Sequence, residues 1–501
     1  MPRLVKCIGI AVSMLAVLGA GACFLLPERF AVNVPLGSML TGTGPGAPTN
    51  DQFATRIRVP DGFSVGLYAT DIENARFLRF TSSGDLLVSQ PRRGEILLLE
   101  RDRNGDGLPD GRRTLLSGLD RSLGLDLDDG WLYIGEGSAV ARVRFDAEAG
   151  TTVGDIERIV TGIPEGGNHW TRTLRIGPDG HIYLSVGSSC NVCEESDPRR
   201  AAMLRYRIDG SGEEIYAAGM RNSVGFDWRP GTNELYATDN GRDLLGDDFP
   251  PCELNRIERG GFYGWPYANG DNAPDPDFGA GNEAKVRSAR APDHGFRAHN
   301  APLGMTFVRG DAAPGYRGAA LVALHGSWNR SAKDGYKVVS LHWPSNGRAG
   351  PLEERDFLWG LEVDDDVIGR PVDVIEGPDG AFYISDDYAN SVYRVAYGSA
   401  ARATAAPGAA TTTRDPLAAV QEAARPHLAA TGSALYARHA CATCHDPATA
   451  RPGVVPVVLE DLATRYDVPR MMSFLAAPTP PMPAFDLTED DRRALAVHLL
   501  R

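Results

Sequence analysis

A chain of 501 residues is too long for one small core and long enough for a large domain with a small one beside it. Hydrophobic residues make up 43% and charged residues 23%, the balance of an ordinary globular protein. The formal net charge is -14, from 65 acidic and 51 basic residues, which repels a phosphate backbone and excludes nucleic acid as a partner.

The N-terminus reads MPRLVKCIGIAVSMLAVLGAGACFLLPERF. Arg3 and Lys6 precede an apolar run from Cys7 to Leu26, closed by Pro27, which is the layout of an export signal. The run is long for a signal core and just long enough to span a bilayer. It reads as an uncleaved membrane anchor, as a signal cut near Ala22, or, less well supported by the residues before it, as a lipid attachment at Cys23; a buried core helix is the bland alternative. Residues 1–30 are therefore expected to be an export segment that delivers the chain to the periplasm, anchored at the inner membrane or released from it.

The chain has seven cysteines. In an oxidising compartment Cys190 and Cys193, in SSCNVCEES, are expected to form a local disulfide.

From residue 50 to residue 397 one plan recurs six times, in RFLRFTSSGDLLVS, LGLDLDDGWLYIG, LRIGPDGHIYLSVG, FDWRPGTNELYATD, LGMTFVRG…ALVALHG and DVIEGPDGAFYISD. Each has a short apolar run, a turn rich in Gly, Asp or Pro, and a second apolar run. Six such units without a long helical period predict an all-β six-bladed propeller, with a pair of β-sandwiches as the alternative. RDRNGDGLPDGRR begins like a calcium loop, with Asp102, Asn104, Asp106 and Asp110, but Arg113 stands where a bidentate Glu is expected. It reads either as a weak calcium site or as an Asx-rich hairpin tip.

The composition shifts at 398–426 to Ala, Thr, Pro and Gly, which predicts a linker. Helical text then fills 427–501, ending in LTEDDRRALAVHLL with Thr488 as the expected N-cap. Within it Cys441-Ala-Thr-Cys444-His445 has the spacing of covalent haem attachment, two thiols for the vinyl groups and a His for the axial position. The segment resembles class I cytochrome c domains. That resemblance makes Met482, in PTPPMPAF, the sixth ligand. Met471 and Met472 sit in a helix start and are expected to pack, and His439 and His498 are expected to be surface or core residues. His/Met ligation leaves the haem no open position, so it would carry electrons from an oxidation performed elsewhere.

Three stretches carry a second resemblance: EGGNHW with the following strand, YAAGMRNSVGF through GGFYGWPY, and HGSWNR with GRPVDV. Together they are similar to the soluble quinoprotein glucose dehydrogenase and sorbosone dehydrogenase family, propellers that use pyrroloquinoline quinone (PQQ) and calcium. The tandem with a cytochrome is similar to pyranose and other sugar quinohaemoproteins. The resemblance makes His169 the catalytic base and matches Arg221 and Asn222 to a cofactor-contacting pair, Arg221 supplying charge to the reduced quinone. It puts the carbonyls of Gly241 and Arg242 on the cofactor's calcium, and Glu253 and Tyr263 at a second calcium site. It matches His325, Arg330 and Arg370 to cofactor anchoring. Asn168 and Val372 stand where relatives carry an Asp and an Arg.

The expected protein is thus an exported dehydrogenase. It oxidises a sugar, aldose or polyol with PQQ and passes electrons through haem c to a respiratory acceptor. The alternatives are a calcium-dependent propeller lactonase with a passenger cytochrome, and a haem-bearing binding or electron-transfer protein.

Overall fold

The computed structural model describes residues 31–33, 44–344, 353–398, 416–417, 420–446, 449, 459, 462–466, 468–476, 482, 485 and 487–501. The expected export segment, 1–30, lies outside them. Among the described residues no helix is long and apolar enough to cross a membrane.

The six repeats are six four-stranded antiparallel blades, and the third gains a fifth strand, Gly261–Phe262, paired parallel with Glu214–Ala218. Each begins with an inner strand: Leu78–Phe80, Leu125–Asp128, Leu174–Ile176, Phe226–Trp228, Pro302–Phe307 and Pro371–Glu376. The second strands, such as Leu86–Gln90, Leu235–Asp239 and Phe382–Asp386, are buried along their whole length, because both faces pack on neighbouring blades. Turn chemistry sets the register. In the Gly-Pro-Asp-Gly turns, Gly180 and Gly380 take φ of +70° and +75°, where a side chain is disfavoured. Asp179 and Asp379 then accept the hydroxyls of Tyr183 and Tyr383 from the next strand, each at 3.0 Å.

The ring closes through the start of the chain. Phe63–Ala69 is the outer strand of the sixth blade and pairs antiparallel with Ser391–Tyr397, Phe63 opposite Tyr397. On the axis, Phe77, Leu123, Val224, Leu303 and Val372 form one apolar cluster with Trp170 against it. This belt lies where the inner strands begin, so it divides the axis into two ends. Asp102, Asn104, Asp106 and Asp110 fold into a hairpin tip. The Asp102 carboxylate accepts from Gly105 N and Gly107 N at 2.7 Å each, and Asp110 accepts from Arg103 N at 3.1 Å.

The chain divides into two units, Met1–Ala406 and Pro407–Arg501. The second has its own core, in which Leu435, Leu462, Met471, Leu475, Leu495 and Val497 are buried. Its helices are Arg425–Arg438, Ala442–His445, Leu462–Arg465, Val468–Ala476 and Glu489–Leu499. Thr488 caps the last one in a capping box with Asp491. Gly432 lets the first and last helices touch: a Cβ there would stand 2.1 Å from Ala494 O. The span expected to be linker, 398–426, ends in packed chain, since Leu417 and Val420 are buried in this core and the first helix begins at Arg425.

Candidate active site at the starts of the inner strands

His169 lies in the loop ahead of the third inner strand. That loop is held by two guanidinium groups: Arg172 donates to Thr171 O (2.7 Å) and Pro164 O (2.5 Å), and Arg200 to Glu165 O (2.5 Å) and Gly166 O (3.0 Å). His169 Nδ1 is 2.8 Å from Ser188 Oγ and 3.1 Å from Ser188 O. The Ser188 hydroxyl donates its own hydrogen to Cys190 O at 2.7 Å. Both Ser188 oxygens are therefore acceptors, and Nδ1 must carry the imidazole hydrogen. That leaves a lone pair on Nε2, which has no hydrogen-bond partner among the described residues. Burial, and then the Arg221 guanidinium, push the His169 pKa down to about 3. Asn168, at the position of the relatives' Asp, is exposed and bonds the loop only through its backbone N to Ser189 O at 2.9 Å. Ser188 does the orienting instead.

Gly187 backs this arrangement. A Cβ there would meet His169 Cβ at 2.5 Å and Asn222 Oδ1 at 2.8 Å, so Asn222 and His169 stand side by side. Arg221 plays a different part from the one its motif implied. Nε donates to Asn191 O (2.9 Å), Nη1 to Gly241 O (2.9 Å) and Asn240 O (3.3 Å), and Nη2 to Asn191 Oδ1 (2.8 Å) and Asp243 Oδ2 (2.7 Å). All five N–H groups are engaged by the protein, so Arg221 positions the site rather than reaching into it. Asn191 is the tip of the loop closed by the Cys190–Cys193 disulfide, which forms as expected. Burial works against the Asp243 carboxylate, but His299 and Arg221 outweigh it and hold its pKa below the usual range.

A second cluster joins the fifth and sixth blades. Asp387 accepts from His325 Nε2 at 2.9 Å and pairs with Arg76 at 2.7 Å. Burial, and then Arg370, lower the His325 pKa to about 4, so it donates as a neutral ring. Arg370 gives Nε to His325 O (3.0 Å) and Nη2 to Gly326 O (3.1 Å). Its Nη1 has no partner among the described residues. Arg330 is not at this mouth: it bonds Asp247 O and Ala298 O and so ties down the 243–248 loop.

The expected calcium positions separate. Gly241 O already accepts Arg221 Nη1, so a cation on that carbonyl would share it with a guanidinium. The Arg242 side chain turns into a buried pair with Asp275, 2.7 Å to each oxygen. The Tyr263 hydroxyl bonds Arg256 O and Glu258 N. Glu253 fits a hard cation better. Its carboxylate shares a small cavity with Asp239 and Asn269, and burial followed by the Asp239 charge raises it to about 8.

In the helical unit Cys441, His445 and Met482 line one mostly apolar cavity of about 200 Å³ with Tyr436, Phe474 and Leu495. Met471, expected to be mere packing, lines it too. Cys444 is exposed beside it. The His439 ring meets Phe485 edge to face, and the His498 ring lies tilted against Tyr436. A thiol, an imidazole and a thioether around an apolar slot, with the second thiol, Cys444, three positions along the chain, suit a haem.

Ser188, Asn191, His299 and Asp387 are site residues that no motif announced, whereas Asp243, legible beside Gly241 as a possible calcium ligand or a solvated acid, is paired with Arg221 instead. The pairing of Asp243 with Arg221 could have been sought from the acidic run that follows Gly241.

The class is a six-bladed β-propeller with a bare imidazole nitrogen beside an asparagine at one end of its axis. The Glucose / Sorbosone dehydrogenase family model matches residues 132–394, and the chain belongs to that family. It is 31% identical over 362 residues to an uncharacterised protein of Borreliella burgdorferi, covering 69% of this chain and 92% of that one. It is 24% identical over 414 residues to the pyrroloquinoline quinone-dependent pyranose dehydrogenase of Coprinopsis cinerea, covering 70% of this chain and 55% of that protein. The holo PQQ domain of the Coprinopsis cinerea pyranose dehydrogenase superposes with a TM-score of 0.60 at 22% identity, over 71% of this chain and 99% of the domain.

Proposed function

We propose that the propeller oxidises a hydroxyl of an aldose or related polyol with PQQ, and that haem c on the C-terminal unit relays the electrons to a respiratory acceptor. The observation that carries this reading is His169, neutral by burial, with Nδ1–H fixed on Ser188 and a bare Nε2. Such a nitrogen accepts the hydroxyl proton of a bound sugar as its carbinol carbon is oxidised. When bound, PQQ supplies the acceptor for the hydride. Arg370 Nη1 and the Asn222 amide are the groups that would hold it, and Arg221 keeps Asn191 and Asp243 in place around them. The name of the Coprinopsis relative, which states both the quinone and a pyranose, supports this assignment.

Calcium would be held by Glu253, with Asp239 beside it. Cys441 and Cys444 would carry the haem, with His445 and Met482 as axial ligands. The N-terminal apolar run would place the whole protein in the periplasm, anchored at the inner membrane. A lactonase would need carboxylates converging on an open site, whereas Asp243 and Asp387 are each paired with an arginine. The test is to add PQQ and calcium to purified protein and follow haem absorbance with a panel of sugars. Sugar-driven reduction that requires PQQ is expected; reduction without PQQ, or none with any sugar, would refute the reading.

A further inference from the structure

At the other end of the axis, beyond the apolar belt, lies a cavity of about 660 Å³. One inner-strand residue from each blade faces it: Arg79, Asp126, Arg175, Asp227, Thr306 and Ile375. The charges alternate over the first four blades, and two of the three partnerships are complete. Asp126 is paired with Arg79 at 2.5 Å and accepts Leu127 N and Ile176 N, each at 2.8 Å. Asp227 is paired with Arg309 at 2.8 Å and accepts Phe307 N at 2.8 Å and Trp228 N at 2.9 Å.

Arg175, between these two blades, is left over. Its one hydrogen bond is a marginal 3.5 Å contact from Nη2 to Met305 O, and no carboxylate among the described residues lies within ion-pair distance. Burial, and then Arg79, lower its pKa, while the more distant charges of Asp227, Asp126 and Asp373 oppose that fall. A half-buried guanidinium that faces a cavity without a direct ion pair keeps most of its planar fork free, and that fork matches a carboxylate.

The rest of the lining narrows the ligand. Trp228 and Phe145 give apolar walls, while Asp128 and Asp129 stand exposed at the rim as acceptors for hydroxyl groups. The same rim acids oppose a second negative charge. We infer that this cavity binds a small polyhydroxylated monocarboxylate, a sugar acid, with its carboxylate on Arg175. The inference rests on the cavity and not on the redox reading. If that reading holds, the ligand is of the class that hydrolysis of an aldose oxidation product yields.

The test is calorimetric titration of the full-length protein with sodium gluconate. Binding is expected in the wild type, weakened at least tenfold in Arg175→Gln and in Ser82→Trp, which obstructs the mouth from an exposed position. His169→Gln should bind as the wild type does. No binding to the wild type would overturn the inference, as would undiminished binding in Ser82→Trp. Loss in His169→Gln with retention in Arg175→Gln would place the anion at the opposite end and overturn it as well. Displacement of gluconate by an equal concentration of inorganic phosphate would remove the need for a polyol, and displacement by glucose the need for a carboxylate. Ser82→Trp keeps the question open to refutation should Arg175→Gln fail to fold.

Discussion

His169 Nδ1 and Ser188 Oγ stand 2.8 Å apart, and the direction of that bond is fixed because the Ser188 hydrogen goes to Cys190 O. The short disulfide loop thereby decides which imidazole nitrogen is a base. His169→Gln should lower sugar-driven haem reduction by roughly 10² to 10⁴, the loss expected for a positioned base. Dithionite should still reduce the haem in this variant. Ser188→Ala should lose less, and its defect should appear in kcat more than in KM. Stopped-flow absorbance distinguishes the two, and full turnover in His169→Gln would remove His169 from the mechanism.

The depressed histidines set the acid side of the stability profile. His169 titrates at about 3 and His325 at about 4 in the fold, against an ordinary value near 6.5. Between those values the unfolded chain binds protons that the folded chain refuses, so stability rises with pH there. The contribution is complete above about 6.5 and is lost as pH falls toward 4 and then 3. Thermal melts should show Tm falling through this window, and His325→Gln should flatten part of the fall. The rate profile of the free enzyme should carry no inflection from His169 near 6.5; an inflection there that vanished in His169→Gln would contradict a buried neutral ring.

Met471 and Met482 both line the cavity of the helical unit. Met482→Ala should leave haem covalently attached, shift its potential and abolish the weak absorption of sulfur ligation. Met471→Ala should retain that absorption. The reverse pattern would exchange the two.

The Arg242–Asp275 pair is buried on both sides, with side-chain exposures of 6% and 1%. Arg242→Ala leaves the Asp275 charge without its cation and should cost about 3–5 kcal/mol. The double change Arg242→Met, Asp275→Leu should cost much less. Urea midpoints at unchanged slope would show this, and equal losses in the two variants would contradict it.

The blades were legible because turn residues and paired apolar runs repeat locally, as in the two Gly-Pro-Asp-Gly turns. His169, Asn222 and Arg370 were singled out through motif likeness. Ser188 was not, since its role depends on where one hydroxyl hydrogen points. The hydrogen bonds of Arg221 were not legible: what engages it is Asn191, thirty residues away and brought near by the disulfide loop. The ring of Arg79, Asp126, Arg175 and Asp227 was invisible because nothing in a linear text aligns residues that face one another only across blade registers. Leu417 and Val420, at the end of the Ala-rich stretch, show their place only when the helical core collects them.

The closing strand has a consequence for biogenesis. Phe63 and Tyr397 are neighbours in the sheet but 334 positions apart in the chain. A polypeptide made from its N-terminus delivers Phe63–Ala69 first and the strand that receives it last. Until then an apolar edge stands open to other chains, and the loop that must close is nearly the whole propeller. The moment of greatest danger for this protein is therefore the interval between the emergence of its first strand and its last, and a companion that shields an open β-edge would matter most there.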